Sequence, residues 1–166
     1  PMTREDNQSF FYIFLFALLS FYVYTNGQIV TYDDYWPGQI TSLIRDGRIG
    51  ALILYYPLVN IFEMDMSFRY VGYVFLSVSV SLYLYELSRA LNFNRSKAMI
   101  FAVSSIFLIS SINYKLFVYK AAFITVGSVF LYSWFSIVCF TRANLETGSR
   151  RTLALFCSAF FAAMPL

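Results

Sequence analysis

Long apolar blocks alternate along the chain with shorter stretches in which the charged residues gather. A helix needs about 20 consecutive apolar residues to cross the hydrocarbon core of a bilayer, which is roughly 30 Å thick. The pattern therefore predicts an all-α polytopic integral membrane protein, a single membrane domain with about five transmembrane helices. The predicted spanning helices are 10–29, 70–87, 98–112, 121–140 and 152–166.

The loop between the first two predicted spans, residues 30–69, mixes apolar and charged residues. Its apolar run Ile49–Phe62 is too short to span comfortably, which indicates an interfacial or re-entrant segment. Pro37–Asp46 is predicted to be a short helix, because proline is favoured in a first helical turn and Gly47 is placed to end it. A second short helix is predicted over Arg48–Tyr56. We expect both to lie flat on the membrane.

Three serines alternate within the second predicted span, at Ser77, Ser79 and Ser81. Alternation is typical of a strand, but the apolar length of 70–87 favours a helix. Inside a membrane, such hydroxyl groups can bond to backbone carbonyls of their own segment. We predict that role for all three.

The composition excludes several classes of function. The chain is 59% apolar and 13% charged, whereas a soluble domain has about 45–50% and 25%. Its net charge of +3 forms no basic stripe, so nucleic acid is not an expected partner. Histidine is absent, which removes Ser-His-Asp and Cys-His catalysis and most catalytic zinc sites. Cys139 and Cys157 lack metal spacing and are interpreted as small apolar fillers.

The orientation follows from the distribution of lysine and arginine, which is biased towards short inner loops. With the N-terminus inside, seven of the twelve cations lie inside and five outside, and loop 30–69 faces outward. The inner cations are Arg4, Arg89, Arg95, Lys97, Arg142, Arg150 and Arg151, and the outer ones are Arg45, Arg48, Arg69, Lys115 and Lys120. This arrangement predicts a multi-pass membrane protein with its N-terminus inside.

Both termini carry information about processing. The first residues include Arg4, Glu5 and Asp6, which is not the basic start of a signal peptide. The last apolar segment reaches Leu166 without a flanking charge, although a spanning helix normally has interfacial anchors on both sides. We therefore expect the natural protein to continue beyond a truncated C-terminus.

Asp33 and Asp34 stand side by side where the chain leaves the first apolar segment. A charge drawn into hydrocarbon costs roughly 2.5–3.5 kcal/mol on insertion scales, so both carboxylates must face water, a cation or a polar substrate. One interpretation is that they stabilise the start of the following helix by about 0.3–1 kcal/mol. The other is that they act as a catalytic general base or hold a divalent cation, Mg or Mn, through oxygen.

Four neighbours of the acidic pair are candidate substrate-binding residues. Arg45 and Arg48 carry planar guanidinium groups that match phosphate oxygens. Tyr35 and Trp36 can stack on the face of a sugar. The alternative for all four is a role at the membrane boundary, where basic and aromatic residues are common anchors. For Arg45 and Arg48, pairing with Asp46 or with the acidic pair is a further alternative.

The stretch Tyr32-Asp33-Asp34-Tyr35-Trp36 and the later Asp46-Gly47-Arg48 resemble the membrane-embedded glycosyltransferases of the GT-C class. Within that class they are similar to the bacterial and phage O-antigen glucosyltransferases of serotype conversion, which modify lipopolysaccharide. The resemblance implies transfer of a hexose such as glucose from a polyprenyl-phosphate carrier to a lipid-linked glycan, on the outer face of the bacterial cytoplasmic (inner) membrane. It also implies an acidic residue close to the acceptor hydroxyl, a role that falls on Asp33 or Asp34.

Two other classes of function compete with this expectation. One is a lipid-sugar flippase or transporter subunit, and the other is a purely structural subunit. A transporter places polar groups along the bilayer midplane. Here the ionisable residues gather at the edges of the apolar blocks, which favours chemistry at the surface over translocation.

Overall fold

The computed structural model describes residues 4–26, 49–62, 66–112 and 122–164. Within these ranges the chain is helical and contains no strand, which confirms the all-α class. The helices are α1 (Arg4–Tyr22), which continues as a 3-10 turn over Val23–Asn26, then α2 (Ile49–Phe62), α3 (Met66–Ala90), α4 (Arg95–Ile112), α5 (Ala122–Ala143) and α6 (Gly148–Ala163).

Four of these helices are long and apolar enough to cross a membrane, which makes the chain a multi-pass membrane protein. Their candidate spans are Gln8–Thr25, Tyr70–Ala90, Arg95–Ile112 and Phe123–Ala143. Each overlaps one of the predicted spans.

The fifth predicted span, 152–166, falls on α6, which begins at Gly148. This helix has 16 residues, or about 24 Å at 1.5 Å per residue, which is less than a full bilayer core. Among the described residues, four helices therefore meet the length of a span, and α6 is a shorter helix packed on α5.

The helices run between two ends of one bundle. Phe10 of α1 meets Tyr85 of α3 with ring centroids 5.9 Å apart, and the Tyr73 hydroxyl of α3 donates to the Leu18 carbonyl of α1 at 3.1 Å. Helices α1 and α3 are therefore antiparallel. We call the end that holds the start of α1 and the end of α3 the basic end, because its cations are Arg4, Arg89, Arg95, Lys97, Arg142, Arg150 and Arg151. The other is called the opposite end.

The interior of the bundle is apolar, with hydroxyl groups as its polar component. Phe21, Leu76, Ile106 and Phe123 are among the fully buried side chains. The three alternating serines are buried too, and each donates to a carbonyl one turn earlier in α3. The bonds join Ser77 to Tyr73 at 2.9 Å, Ser79 to Phe75 at 2.8 Å and Ser81 to Ser77 at 2.6 Å. The predicted role of these hydroxyls is confirmed.

Helices α3 and α5 approach each other closely at two glycines. A Cβ atom at Gly127 would lie 2.7 Å from Cδ1 of Phe75 and 3.2 Å from Cα of Leu76. A Cβ atom at Gly72 would lie 3.1 Å from Cβ of Phe123. Small residues let backbones meet in a membrane, where apolar burial alone gives no preference for protein over lipid.

Helix α2 differs in composition from the amphipathic helices predicted for loop 30–69. Its 14 residues carry no charge, so it lacks the polar face that holds an amphipathic helix in the headgroup layer. Near its start, Gly50 contacts Tyr132, close to the middle of the 22-residue helix α5. Phe62 lies four residues before Met66, where α3 begins. The helix thus runs from mid-depth towards the opposite end, in agreement with the re-entrant alternative.

Replacing Gly127 with leucine tests the close approach of α3 and α5. We expect Gly127→Leu to lower the free energy of unfolding by about 1–3 kcal/mol, because Phe75 and the α3 backbone leave no room. Val129→Leu, on the exposed side of α5, is the matched control and should change stability by less than about 0.5 kcal/mol. Unfolding in mixed micelles, followed by circular dichroism, measures both. Equal stability of the two variants would contradict the close contact.

Candidate functional site

All six residues predicted from the sequence to form the site lie outside the described residues. They are Asp33, Asp34, Tyr35, Trp36, Arg45 and Arg48, and the predicted helix Pro37–Asp46 falls in the same segment. Their catalytic, substrate-binding and metal-binding roles stay predictions. What the structure does describe is how the chain is held on either side of this segment, at Asn26 and at Ile49.

The chain before the segment is attached to two other helices. The Tyr24 hydroxyl lies 2.9 Å from the Ser110 hydroxyl and donates to the Ser110 carbonyl at 3.3 Å, which joins the end of α1 to the end of α4. The next residue, Thr25, is fully buried and donates to the Tyr22 carbonyl at 2.7 Å. The ring of Tyr22 also meets Tyr73 of α3, with centroids 6.3 Å apart. The exit from α1 is therefore a fixed point at the opposite end.

The chain after the segment is held at the start of α2. The Tyr132 hydroxyl of α5 donates to the Gly50 carbonyl at 2.9 Å, and both residues are buried. A Cβ atom at Gly50 would lie 2.5 Å from the carbonyl oxygen of Met164 and 3.0 Å from Cε2 of Tyr132. Only glycine fits between α5 and the end of α6, so the start of α2 is a second fixed point.

Helix α6 supports that second point from behind. Phe161 stacks on Tyr132 and on Phe135, with centroid distances of 6.4 and 5.1 Å. Ser136 and Ser158 exchange hydrogen bonds, each hydroxyl donating to the other's carbonyl at 2.9 and 3.0 Å. These contacts bind α6 to α5 and keep Tyr132 in place beneath α2.

Charged side chains of the described ranges are confined to the ends of the bundle. In α3 the acidic and basic residues are Arg69 in its first turn and Glu86 and Arg89 near its end, and in α5 the only one is Arg142. No group of three histidine, cysteine, aspartate or glutamate residues suited to a metal ion occurs in the described part of the chain. The metal hypothesis thus remains a prediction about Asp33 and Asp34.

The structure also brings together residues that the sequence did not assign to a site. From the sequence, Arg89 and Arg95 were expected only to set the orientation of the chain in the membrane. In the structure they line one cavity at the basic end together with Ser9. The sequence does indicate that the two arginines lie near each other, because only five residues separate them and a short helix-helix connection keeps such neighbours close. That they also lie beside α1 depends on tertiary packing, which the local sequence does not indicate.

Comparisons of the chain with protein-family models, with curated proteins and with solved structures found no match.

Removing the hydroxyl of Tyr132 tests the attachment of α2. We expect Tyr132→Phe to cost about 0.6 kcal/mol, and at most about 1.7, because a hydrogen bond between helices in a membrane has that strength. Backbone amides of α2 should then exchange hydrogen for deuterium faster. Tyr83→Phe is the matched control, since among the described residues the Tyr83 ring packs on Phe130 without a hydroxyl bond. Unchanged exchange in α2 would show that the bond does not hold it.

Proposed function

We propose that this protein is a GT-C type glycosyltransferase that moves a hexose, such as glucose, from a polyprenyl-phosphate carrier to a lipid-linked glycan such as O-antigen. The proposal rests on the resemblance of Tyr32–Trp36 and Asp46–Arg48 to that class. The structural observation that carries it is the pair of fixed points around segment 27–48, at Tyr24–Ser110 and at Gly50–Tyr132. A catalytic segment needs supports of this kind, because its reacting groups must be held in register.

The interior of the bundle supports surface chemistry over the flippase or transporter alternative. A transport path through the bilayer needs polar or ionisable groups near the midplane. In the described helices, the buried hydroxyls of Ser77, Ser79 and Ser81 are already bonded to carbonyls of their own helix. The charged side chains lie at the helix ends, where they meet water and headgroups.

The proposed reaction is a single displacement at the anomeric carbon of the donor sugar. Asp33 or Asp34 accepts the proton of the acceptor hydroxyl as its oxygen attacks that carbon. The bond between the sugar and the carrier phosphate breaks, and polyprenyl phosphate leaves with the bonding electrons. Arg45 and Arg48 stabilise the charge that develops on the phosphate, while Tyr35 and Trp36 stack on the sugar.

A structural subunit is the remaining alternative, and it differs from the proposal in what the acidic pair does. It requires only that Asp33 and Asp34 support the following helix or anchor the loop. Their replacement by asparagine keeps the shape of each side chain and removes its charge. The two alternatives therefore separate in an activity measurement on matched variants.

We expect one of Asp33→Asn and Asp34→Asn to reduce sugar transfer by about 100-fold or more, the usual contribution of a general base. Transfer of labelled hexose from polyprenyl phosphate to lipid-linked glycan is measured in membranes at matched expression. Glu146→Gln is the control, because Glu146 is an exposed carboxylate of the α5–α6 connection at the basic end. If both asparagine variants transfer sugar as well as the native protein does, the proposal is contradicted. The acidic pair would then be a helix cap or a membrane anchor.

The proposal also requires that the opposite end face outward. Seven of the twelve lysines and arginines lie at the basic end, which the positive-inside rule assigns to the cytoplasm. In a chain without native cysteines, we expect Gln39→Cys to react with an impermeant maleimide in intact cells. Glu146→Cys should react only after the cells are opened. The reverse result would place the acidic pair in the cytoplasm and contradict the reaction site.

A further inference from the structure

A cavity of about 190 Å³ lies at the basic end, between α1, α3 and α4. Its lining combines the guanidinium groups of two arginines with apolar side chains. The arginines are Arg89 and Arg95, and the apolar residues include Ile13, Phe93 and Ala98. Because liquid water takes about 30 Å³ per molecule, the space corresponds to about six waters, which is enough for a phosphate group.

A rigid turn fixes the two arginines relative to each other. Arg89 lies in the last turn of α3, and Arg95 is the first residue of α4. Between them, Asn92 has a positive φ of 54°, Phe93 N–H donates to the Ser88 carbonyl and Asn92 N–H donates to the Arg89 carbonyl, each at 3.0 Å. This is the Schellman arrangement that ends many helices. The turn therefore holds the backbones of the two arginines at a set separation beside the cavity.

The charged residues that line the cavity are both arginines. Arg89 lies 3.3 Å from a carboxylate oxygen of Glu86 and 5.8 Å from the centre of the Tyr85 ring, so its guanidinium is oriented and partly neutralised. Arg95 is exposed at the start of α4, so its guanidinium is accessible to an external anion.

We propose that this cavity binds the phosphate group of an anionic phospholipid from the leaflet at the basic end. A guanidinium fork matches phosphate oxygens, and basic pockets between membrane helices suit lipid headgroups. The lipid is favoured over a soluble anion because Ile13, Phe93 and Ala98 give the cavity an apolar part, beside the arginines and the hydroxyl-bearing Ser9, Tyr85 and Ser88. Phe93, which lines the cavity, exposes 36% of its surface and offers an apolar contact to an acyl chain.

This site is distinct from the proposed site of sugar transfer. The acidic pair follows α1 at the opposite end, whereas the cavity lies beside the start of α1 at the basic end. A lipid held here would join α1, α3 and α4, and it would raise the stability of the bundle by mass action. Binding is measured without any sugar substrate, so its failure leaves the transferase proposal untouched.

The test uses the full chain in phosphatidylcholine nanodiscs, with or without a minor share of phosphatidylglycerol. Native mass spectrometry counts retained lipids, and circular dichroism gives the unfolding temperature. We expect phosphatidylglycerol to be retained in preference and to raise that temperature. Arg95→Gln should weaken retention about tenfold, since a charge-assisted hydrogen bond is lost. Arg150→Gln, an exposed arginine at the same end outside the cavity, should bind as the native chain does.

A second variant separates the cavity from its charge. Ala98→Phe fills the space while every arginine stays, so we expect phosphatidylglycerol retention to fall with helicity unchanged. If Arg95→Gln and Arg150→Gln lose retention equally, the attraction is diffuse and the site is overturned. If glycerol 3-phosphate or inorganic phosphate alone stabilises the chain as much as phosphatidylglycerol does, a soluble anion is the ligand and the lipid assignment is overturned.

Discussion

The close approach of α3 and α5 at Gly72 and Gly127 is the contact on which the rest of the bundle depends. Helices α1 and α4 pack on α3, while α6 packs on α5 and α2 contacts both α5 and α3, so the α3–α5 interface is the most extensive contact in the described bundle. Lipid chains are as apolar as leucine and give no net drive for helices to associate. Close packing at small residues provides this drive instead. The hydroxyls of Ser77, Ser79 and Ser81 do not interfere, because each is bonded to a carbonyl of α3 itself.

The placement of α2 follows from the same interface. Once α5 is fixed, Tyr132 presents a hydroxyl at mid-depth, and the carbonyl of Gly50 accepts from it. A helix that starts inside a bilayer must satisfy its polar backbone groups within the protein. The absence of a side chain at Gly50 and the backing of Tyr132 by Phe161 make this possible. The segment that carries the acidic pair is thereby followed by a helix whose start is held against α5 and the end of α6.

The two ends of the bundle differ in chemistry. The chain is fixed on both sides of the acidic segment, at the opposite end by Tyr24 and Ser110 and at mid-depth by Tyr132 and Gly50. The basic end holds Arg89 and Arg95 beside an apolar pocket, which suits phosphate. These charges lie at opposite ends of a bilayer core about 30 Å thick, and salt screens exposed charges over about 8–10 Å, so each end can recognise its own ligand with little electrostatic influence from the other.

The sequence by itself determined the class of protein, the four long spans and the role of Ser77, Ser79 and Ser81. These features are local, because a bilayer demands apolar length and internal hydrogen bonds of each helix separately. For the candidate site, the sequence supplied the residue types and their order along the chain. The tertiary structure alone decided that α2 inserts beside Tyr132, and that Arg89 and Arg95 meet α1 around one cavity. Those outcomes depend on which helix faces pack together. Such packing joins residues that are distant in the chain, so the local sequence pattern does not predict it.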